Sequence, residues 1–401
     1  MTARRIVRHM MSIVSKQELA REVSRRYAHA TRPEKSRILD EFVAITGYNR
    51  KYAIEVLRRP PTPRREPIRR PRAVRYGPDV ARALSAVWEV AGRPCAKRLV
   101  AAIPDLVQAM QTFGEIELTP KTHNLLLKLS AATADRLLKK VRYSLQWRGR
   151  TPTKPGTLLK QQIAIRTSRG WDDHRPGYVE IDLVAHCGAS GAGEFLYTLV
   201  CTDIATQWTD FEAIRNKGQK EVLAAIQRIH KRLPFPLLGI HSDNGSEFIN
   251  AHLFHYCKEM NIRFTRSRPY RKNDQCHVEQ KNWSLIRHHI GYGRYEGASD
   301  WQRLALVYKW LRPFVNYYSP CMKLIAKERE GARVRKIYDT PRTPCTRLIE
   351  AGFLSNEQVQ KLLEYKNSIN PGQLRREIKA SIEYLVEYSK VTFSDEATNA
   401  A

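Results

Sequence analysis

An aspartate after a short apolar run and a glutamate further along the chain constrain this sequence more than any other feature. Asp243 follows the apolar residues 237–240, and Asn244 and Gly245 turn the chain immediately after it. An apolar run of this length next to a turn signal is typical of a buried strand. Glu279 comes after 35 intervening residues, in a segment that we expect to be helical. The pattern therefore predicts a sheet with a helix packed beside it, and an acidic residue on each.

A second apolar run, residues 178–185, carries Asp182 near its middle. A buried carboxylate in such a strand is unfavourable unless a metal ion or a basic group compensates its charge. Three carboxylates brought together by a sheet and a following helix can hold two hard divalent cations, which is the apparatus for moving a phosphodiester bond. We expect Asp182 to bridge both ions, Asp243 to bind one and Glu279 the other. Magnesium is the expected metal, with manganese as a substitute, because all three ligands are hard oxygens.

At these residues the chain resembles the catalytic core shared by DDE transposases and retroviral integrases. The matching features are Asp182 in a first strand, the Asp-Asn-Gly turn at Asp243 with Glu247 and Phe248 after it, the Arg-Pro-Tyr segment at 268–270, and Glu279 followed by Asn282. The resemblance covers roughly residues 177–318. It implies a ribonuclease H-like mixed α/β core with Asp182, Asp243 and Glu279 as the catalytic triad.

Other acidic residues compete for these roles. The weaker candidates are Asp203, Asp210, Glu247 and Asp274. Glu180 shares the strand face of Asp182, so it is a further alternative. Two positions depart from what the resemblance implies: His241 stands where an acid is common, and Cys276 where Gly or Ala is common. Neither departure removes a proposed metal ligand.

The charge of the chain points to a polyanionic partner. Its 69 Lys and Arg residues against 40 Asp and Glu residues give a formal net charge of +29. Such an excess fits double-stranded DNA, here the terminal repeats of a mobile element and its target. The charge alone is also compatible with a ribosomal, chromatin or membrane-surface protein. The triad, and not the charge, favours DNA.

The N-terminal residues 1–58 show a helix-turn-helix pattern. Capping boxes at Ser15 and Thr31 predict two helix starts, Gly47 predicts a helix end, and Asn49 can cap a third, basic helix. A helix, a short glycine turn and a basic helix form the outline of a DNA-binding unit. An ordinary three-helix packing unit has the same pattern, and the sequence does not separate the two.

Residues 59–76 form a linker in which prolines alternate with basic residues. Prolines prevent a helix or a central strand, so an extended segment that follows a phosphate backbone or a minor groove is expected. The expected DNA contacts here are Arg64, Arg65, Arg69 and Arg70. A solvated spacer is the alternative.

Residues 77–147 are predicted to form a second helical DNA-binding unit. Its last helix places Leu137, Leu138 and Val141 on one face. The basic residues Arg136, Lys139 and Lys140 lie on the other and are candidate DNA contacts. A helical domain with a solvated basic face fits the pattern equally well.

The remaining chain is divided into a linker at 148–176, the core at 177–318 and a C-terminal basic, mainly helical region at 319–401. The core elements after the first strand are predicted as strands 194–202 and 208–214, a helix 219–233, the strand ending at Asp243, a helix 246–260, a strand 262–266 and the helix of Glu279. Basic residues around that helix are expected to neutralise DNA phosphates. They are Arg268, Arg271, Lys272, Lys281 and Arg287.

Neither a membrane nor a disulfide framework is indicated. No stretch approaches the roughly 20 apolar residues of a membrane span, and the seven cysteines include no Cys-x-x-Cys pair. Reduced thiols in a bacterial cytoplasm, close to the nucleoid, are the simplest interpretation. His252, His255 and Cys257 suggest zinc, but side chains at these offsets on a helix cannot all face one point.

The sequence therefore predicts a bacterial insertion-sequence transposase that acts as a homo-oligomer on DNA. It would bind the ends of its own element and catalyse metal-dependent strand cleavage and transfer. A DNA-binding regulator with an inert integrase-like core is the main alternative, but a regulator would not need the three acids. A ribonuclease H-like nuclease without strand transfer is another alternative, and it needs less recognition of DNA ends.

Overall fold

The computed structural model describes residues 11–62, 75–144, 174–243, 245–267, 276–331 and 333–398. They belong to two compact units, divided between Val74 and Arg75. This division differs from the predicted one, in which residues 77–147 stood apart from the core.

The first unit contains three helices around a small apolar core. They are α1 (Ile13–His29), α2 (Arg32–Thr46) and α3 (Arg50–Arg58). The capping box at Thr31, the left-handed Gly47 with φ of 68° and the Asn49 cap are all present, as predicted. The expected start at Ser15 is wrong, because α1 begins at Ile13 and the hydroxyl of Ser12 accepts the backbone N–H of Ser15.

The second unit begins with four helices whose apolar faces join the core of the sheet. These helices are α4 (Pro78–Val90), α5 (Ala96–Thr112), α6 (Pro120–Leu127) and α7 (Ala131–Ser144). Leu84, Leu106 and Leu138 lie in the same buried cluster as Tyr308 and Leu385. Hydrophobic periodicity identified the apolar faces correctly but could not tell what covers them.

A five-stranded mixed sheet forms the centre of the second unit, which agrees with the expected ribonuclease H-like α/β core. Its strands are β1 (Tyr178–Ala185), β2 (Tyr197–Asp203), β3 (Thr209–Ile214), β4 (Gly239–Ser242) and β5 (Arg263–Arg266). Their order in space is β3-β2-β1-β4-β5. β1 pairs antiparallel with β2 and parallel with β4, so the sheet changes direction at β1.

Helices cover both faces of this sheet. They are α8 (Gln219–Arg232), α9 (Ala251–Glu259), α10 (Cys276–Lys281), α11 (His288–Ile290) and α12 (Gly297–Pro313). A π-helical segment, Asn282–Arg287, joins α10 to α11. The helix expected from residue 246 begins only at Ala251, because residues 246–250 form turns and the Asn250 side chain caps the helix.

The C-terminal region contains a hairpin that the sequence did not predict. Strands β6 (Leu324–Glu330) and β7 (Arg333–Tyr338) pair antiparallel. The helices that follow are α13 (Pro344–Glu350), α14 (Asn356–Ser368) and α15 (Pro371–Thr398). The hairpin has many charged residues and little apolar alternation, so its pattern resembles that of a solvated basic stretch. No helix among the described residues is long and apolar enough to cross a membrane.

Candidate active site

Asp182 lies on the central strand β1 and is hydrogen-bonded to the helix that carries Glu279. Its Oδ2 accepts a hydrogen bond from Nδ2 of Asn282 at 2.7 Å. Burial raises the pKa of Asp182 to about 6, against the lowering effect of the Leu183 N–H and Asn282. The negative charges of Asp243 and Glu247 raise it further. These two carboxylates therefore lie close enough to Asp182 to act on its charge.

Asp243 follows β4, the parallel neighbour of β1. In the register of the two strands Glu180 pairs with His241, so Asp182 and Asp243 each come two residues beyond a paired position. Asp243 is half-buried, and its Oδ1 accepts the backbone N–H of Gly245 at 2.9 Å. The predicted turn after the strand thus fixes the direction of the carboxylate, and both aspartates lie at the same edge of the sheet.

Glu279 is exposed on α10, one helical turn before Asn282. It lines an open cavity of about 440 Å³ together with Leu183 of β1 and Asn282. The structure therefore brings the helix of Glu279 against the strand of Asp182. The Arg-Pro-Tyr segment at 268–270 lies outside the described residues.

Glu180 has a structural function that the sequence did not reveal. Its side chain is only 3% exposed, and its Oε2 accepts the backbone N–H groups of His277 at 2.8 Å and Val278 at 2.9 Å. The first N–H groups of a helix have no partner within the helix, and a carboxylate placed there is stabilising. Glu180 thus fixes the start of α10 to β1. The only sequence signal was an acid two residues before Asp182, on the same strand face.

Glu247 is the acid that competes most directly for a place in the site. A Cβ atom on Gly245 would lie 2.6 Å from Cδ of Glu247, so the carboxyl group of Glu247 folds over the turn that follows Asp243. Its charge acts on Asp182, as stated above. A side chain at position 245 would push this carboxyl group away.

Two other competing acids have structural partners. Asp203 is 1% exposed and accepts hydrogen bonds from Thr206 and from the backbone N–H of Gly177. Asp210 pairs with Arg232 at 2.9 Å and Arg312 at 3.1 Å. Both residues stabilise the fold away from the Asp182 edge. Asp274 lies outside the described residues.

Comparison with known proteins gives the family. A family model described as Integrase core domain matches residues 172–272. The uncharacterized protein y4rM of Sinorhizobium fredii (strain NBRC 101917 / NGR234) is 43% identical over 337 residues, which are 84% of this chain and 96% of that protein. The chain carries an integrase core domain and belongs to one family with y4rM. The integrase core match includes Asp182 and Asp243 and ends before Glu279, so it agrees with the part of the resemblance that contains the two aspartates.

Solved integrase structures align with this chain at low identity. The catalytic core domain of BIV integrase is 17% identical with a TM-score of 0.30, over 44% of this chain and 95% of that chain. The HTLV-2 integrase catalytic core domain in complex with magnesium is 17% identical with a TM-score of 0.24, over 29% of this chain and 70% of that chain.

The acidic edge of this integrase core fits a divalent cation by its donor set. Asp182 and Asp243 offer hard oxygen atoms, and no Lys, Arg or His among the described residues forms an ion pair with either. A bound cation would offset the repulsion that raises the pKa of Asp182. In the part of the chain that the structure describes, no group of three or more His, Cys, Asp or Glu side chains is arranged to hold a metal ion.

The hydrogen bonds of His241 and the burial of Lys281 did not follow from the sequence. Both ring nitrogens of His241 form hydrogen bonds to β5 and its end, Nδ1 with Thr265 at 2.9 Å and Nε2 with Ser267 at 3.2 Å. Lys281 was expected to contact DNA phosphates from this helix, and the structure shows that its side chain is only 6% exposed. Burial lowers the pKa of Lys281, and the positive charges of Arg98 and Arg347 lower it further.

The other predicted DNA contacts are in varied positions. Arg287 is partly buried, donates to the carbonyl oxygen of Ala185 at 2.7 Å and stacks on Tyr292. Arg136 and Lys139 are exposed on α7, as expected from the helical pattern. The contacts that lie outside the described residues are Arg64, Arg65, Arg69, Arg70, Arg268, Arg271, Lys272 and the side chain of Lys140.

Proposed function

We propose that this chain is a DDE-class DNA transposase that cleaves the ends of its own mobile element and joins them to target DNA. The observation that carries the proposal is the 2.7 Å hydrogen bond between Asn282 and Asp182. It ties the helix of Glu279 to the strand of Asp182, and Asp243 ends the neighbouring strand. On this basis we infer that Glu279 completes a site with the two aspartates.

In the proposed mechanism Asp182, Asp243 and Glu279 would hold two divalent ions, Mg²⁺ or its substitute Mn²⁺. When bound, such a pair activates a water molecule or a 3'-hydroxyl group and stabilises the leaving oxygen. Asp182, on the central strand β1, would be the residue that holds both ions. Asn282 orients the Asp182 carboxylate, and Glu180 holds the start of the helix so that Glu279 faces β1.

The flanking regions supply the recognition of DNA in this proposal. The first unit has the helix, glycine turn and helix order of a helix-turn-helix, with α3 as the recognition helix. The exposed Arg136 and Lys139 of α7 provide further phosphate contacts. The net charge of +29 suits a protein that assembles as a homo-oligomer on double-stranded DNA, at the nucleoid of a bacterial cytoplasm.

The experiment uses DNA from both flanks of the gene, searched for inverted repeats. The full chain should bind these repeats, cleave at their ends with Mg²⁺ and join the 3' ends to a target plasmid. Asp182→Asn should bind the same DNA without cleaving it, because the shape is kept and a metal ligand is weakened. Binding without cleavage by the wild-type protein would instead identify a regulator with an inert core.

A further inference from the structure

A second cavity, with a volume of about 190 Å³, lies beside the proposed active site. Its walls come from the α4–α5 connection, from α10 with its π-helical continuation, and from residues 319–322. Trp283 lines this cavity and also the cavity that contains Glu279. The two cavities are therefore neighbours along the same helix.

Lys281 projects into this second cavity without a partner of opposite charge. Its side chain is 6% exposed, and it makes no hydrogen bond or ion pair with any residue that the structure describes. Arg98 lines the same cavity, and its Nε atom is buried without a hydrogen-bond partner among the described residues. Arg93 lies at the rim but is already paired with Glu89 at 2.8 Å.

The charges in this cavity are all of one sign. The described lining includes no aspartate or glutamate, and the charge of Arg98 repels that of Lys281. Buried cations are normally paired, because desolvation of an isolated charge is unfavourable. Two cations that face one cavity without an acid destabilise the empty protein. An anion in the cavity would remove this repulsion and satisfy both donors.

Phosphate is the anion that this donor set suits. A guanidinium group and an ammonium group both form strong, charge-assisted hydrogen bonds to phosphate oxygens. Ser284 and Ser319 add hydroxyl groups to the lining. Trp283 is 66% exposed at the rim, which offers a surface on which a nucleic-acid base can stack.

We propose that Lys281 and Arg98 form a phosphate-binding site, and that the phosphate belongs to a DNA strand that passes Glu279. The second half of this proposal rests on the proposed function, whereas the first half does not. Lys281 follows Glu279 by two residues, so a phosphate held here fixes the strand relative to the catalytic helix. Arg98 comes from α5, so the same phosphate also contacts the helices that precede the core.

The first test is thermal unfolding of the full chain in inorganic phosphate and in sodium chloride of equal ionic strength. Phosphate should raise the Tm of the wild type in a saturable way, because a ligand that binds only the native state stabilises it. Lys281→Met should bind phosphate about tenfold more weakly or worse, since it loses a charged hydrogen bond. Arg98→Met should also weaken binding, which guards against a folding defect in one variant.

Lys97→Met is the matched control, because Lys97 is exposed on α5 next to Arg98 and lies outside the cavity lining. It removes the same charge and should keep the full phosphate shift. Lys281→Met should fold at least as stably as the wild type without phosphate, because a desolvated charge is removed. An equal shift in phosphate and chloride, or a full shift in Lys281→Met, would overturn the anion site.

The second test distinguishes DNA from free phosphate. Binding of a duplex is measured against salt concentration without divalent metal, so that strand cleavage does not enter. Lys281→Met should reduce the slope of log affinity against log salt by about 0.9, the value for one phosphate contact. Lys97→Met should keep the wild-type slope. Phosphate binding with an unchanged slope in Lys281→Met would overturn the DNA assignment. If both the phosphate shift and the change in salt slope are observed but the wild-type protein never cleaves DNA, only the proposed function is contradicted.

Discussion

Asn282 donates a 2.7 Å hydrogen bond to Asp182 and thereby joins the helix of Glu279 to the central strand. The amide also lowers the pKa of Asp182, which burial raises. A residue that holds a ligand in place affects the metal site without binding the metal. The proposed chemistry therefore depends on a neutral side chain as well as on the three acids.

Replacement of Asn282 by Ala should weaken Mg²⁺-dependent cleavage without abolishing DNA binding. Loss of such a supporting hydrogen bond typically reduces metal affinity or activity about 10–100-fold. The measurement is the rate of strand cleavage over a series of Mg²⁺ concentrations. Asn356→Ala, at an exposed position on α14, is the matched control. A wild-type Mg²⁺ dependence in Asn282→Ala would show that the hydrogen bond does not matter for metal binding.

Replacement of Glu180 should loosen the start of α10. Glu180→Ala leaves the N–H groups of His277 and Val278 without their carboxylate partner, and a loss of about 1–3 kcal/mol in the free energy of unfolding is expected. Glu180→Gln keeps one acceptor oxygen and should lose less. Urea unfolding measures the effect, with the exposed Glu194→Gln as the control. Equal stability of Glu180→Ala and the wild type would contradict this assignment.

Asp182 should make stability depend on pH in the absence of metal. Its pKa is about 6 in the folded protein against an ordinary 3.8, so the native state holds more protons between these values. The free energy of unfolding should therefore fall as pH rises from about 4 to about 6, by at most about 3 kcal/mol for this residue. The free energy of unfolding of Asp182→Asn should lack this pH-dependent contribution. The contribution of Asp203 is the same in the wild type and in Asp182→Asn. Parallel pH profiles in EDTA for wild type and Asp182→Asn would contradict the burial of this carboxylate.

The division of the chain between Val74 and Arg75 predicts how fragments behave. A fragment of residues 1–74 should unfold cooperatively by itself, because α1 to α3 enclose their own core. A fragment of residues 1–150 should also contain unstable helices, because α4 to α7 bury Leu84 and Leu106 against residues of the later chain. Amide hydrogen exchange of residues 78–144 in the longer fragment distinguishes unstable helices from an independently folded unit. Strong protection of residues 78–144 in the longer fragment would support the predicted independent unit instead.

The sequence predicted the elements that carry the acids, and for a physical reason. Apolar runs between turn signals define buried strands, so the strand of Asp182 and the turn after Asp243 followed from local pattern alone. Parallel pairing of β1 with β4 then places both acids at one edge. Local sequence pattern is enough to predict an element where residues close in the sequence determine its structure.

Features that depend on distant contacts did not follow from the sequence. Lys281 was expected to contact DNA phosphates, but its burial beneath the α4–α5 connection and residues 319–322 did not follow from the pattern. The sequence left Glu180 as an alternative metal ligand, but its carboxylate accepts the first N–H groups of α10 instead. The hairpin at 324–338 carries charge on both strands, so its pairing leaves no apolar alternation to detect. For Lys281 and Glu180 a segment far along the chain determines the environment, whereas the hairpin is local and only its charge hides it.

The central claim is tested most directly by two variants, Glu279→Gln and Glu247→Gln. The measurement is magnesium-dependent cleavage and joining of the element's own ends. Glu247 acts on the charge of Asp182, and Glu279 lies on the helix that Asn282 joins to Asp182. Each change removes one carboxylate and keeps the side-chain shape. If Glu279 is the third metal ligand, Glu279→Gln should bind the ends normally but neither cleave nor join them. Glu247→Gln should cleave within about tenfold of the wild-type rate, because it loses a neighbouring charge and no ligand. Wild-type cleavage by Glu279→Gln, with none by Glu247→Gln, would contradict the account and make Glu247 the ligand.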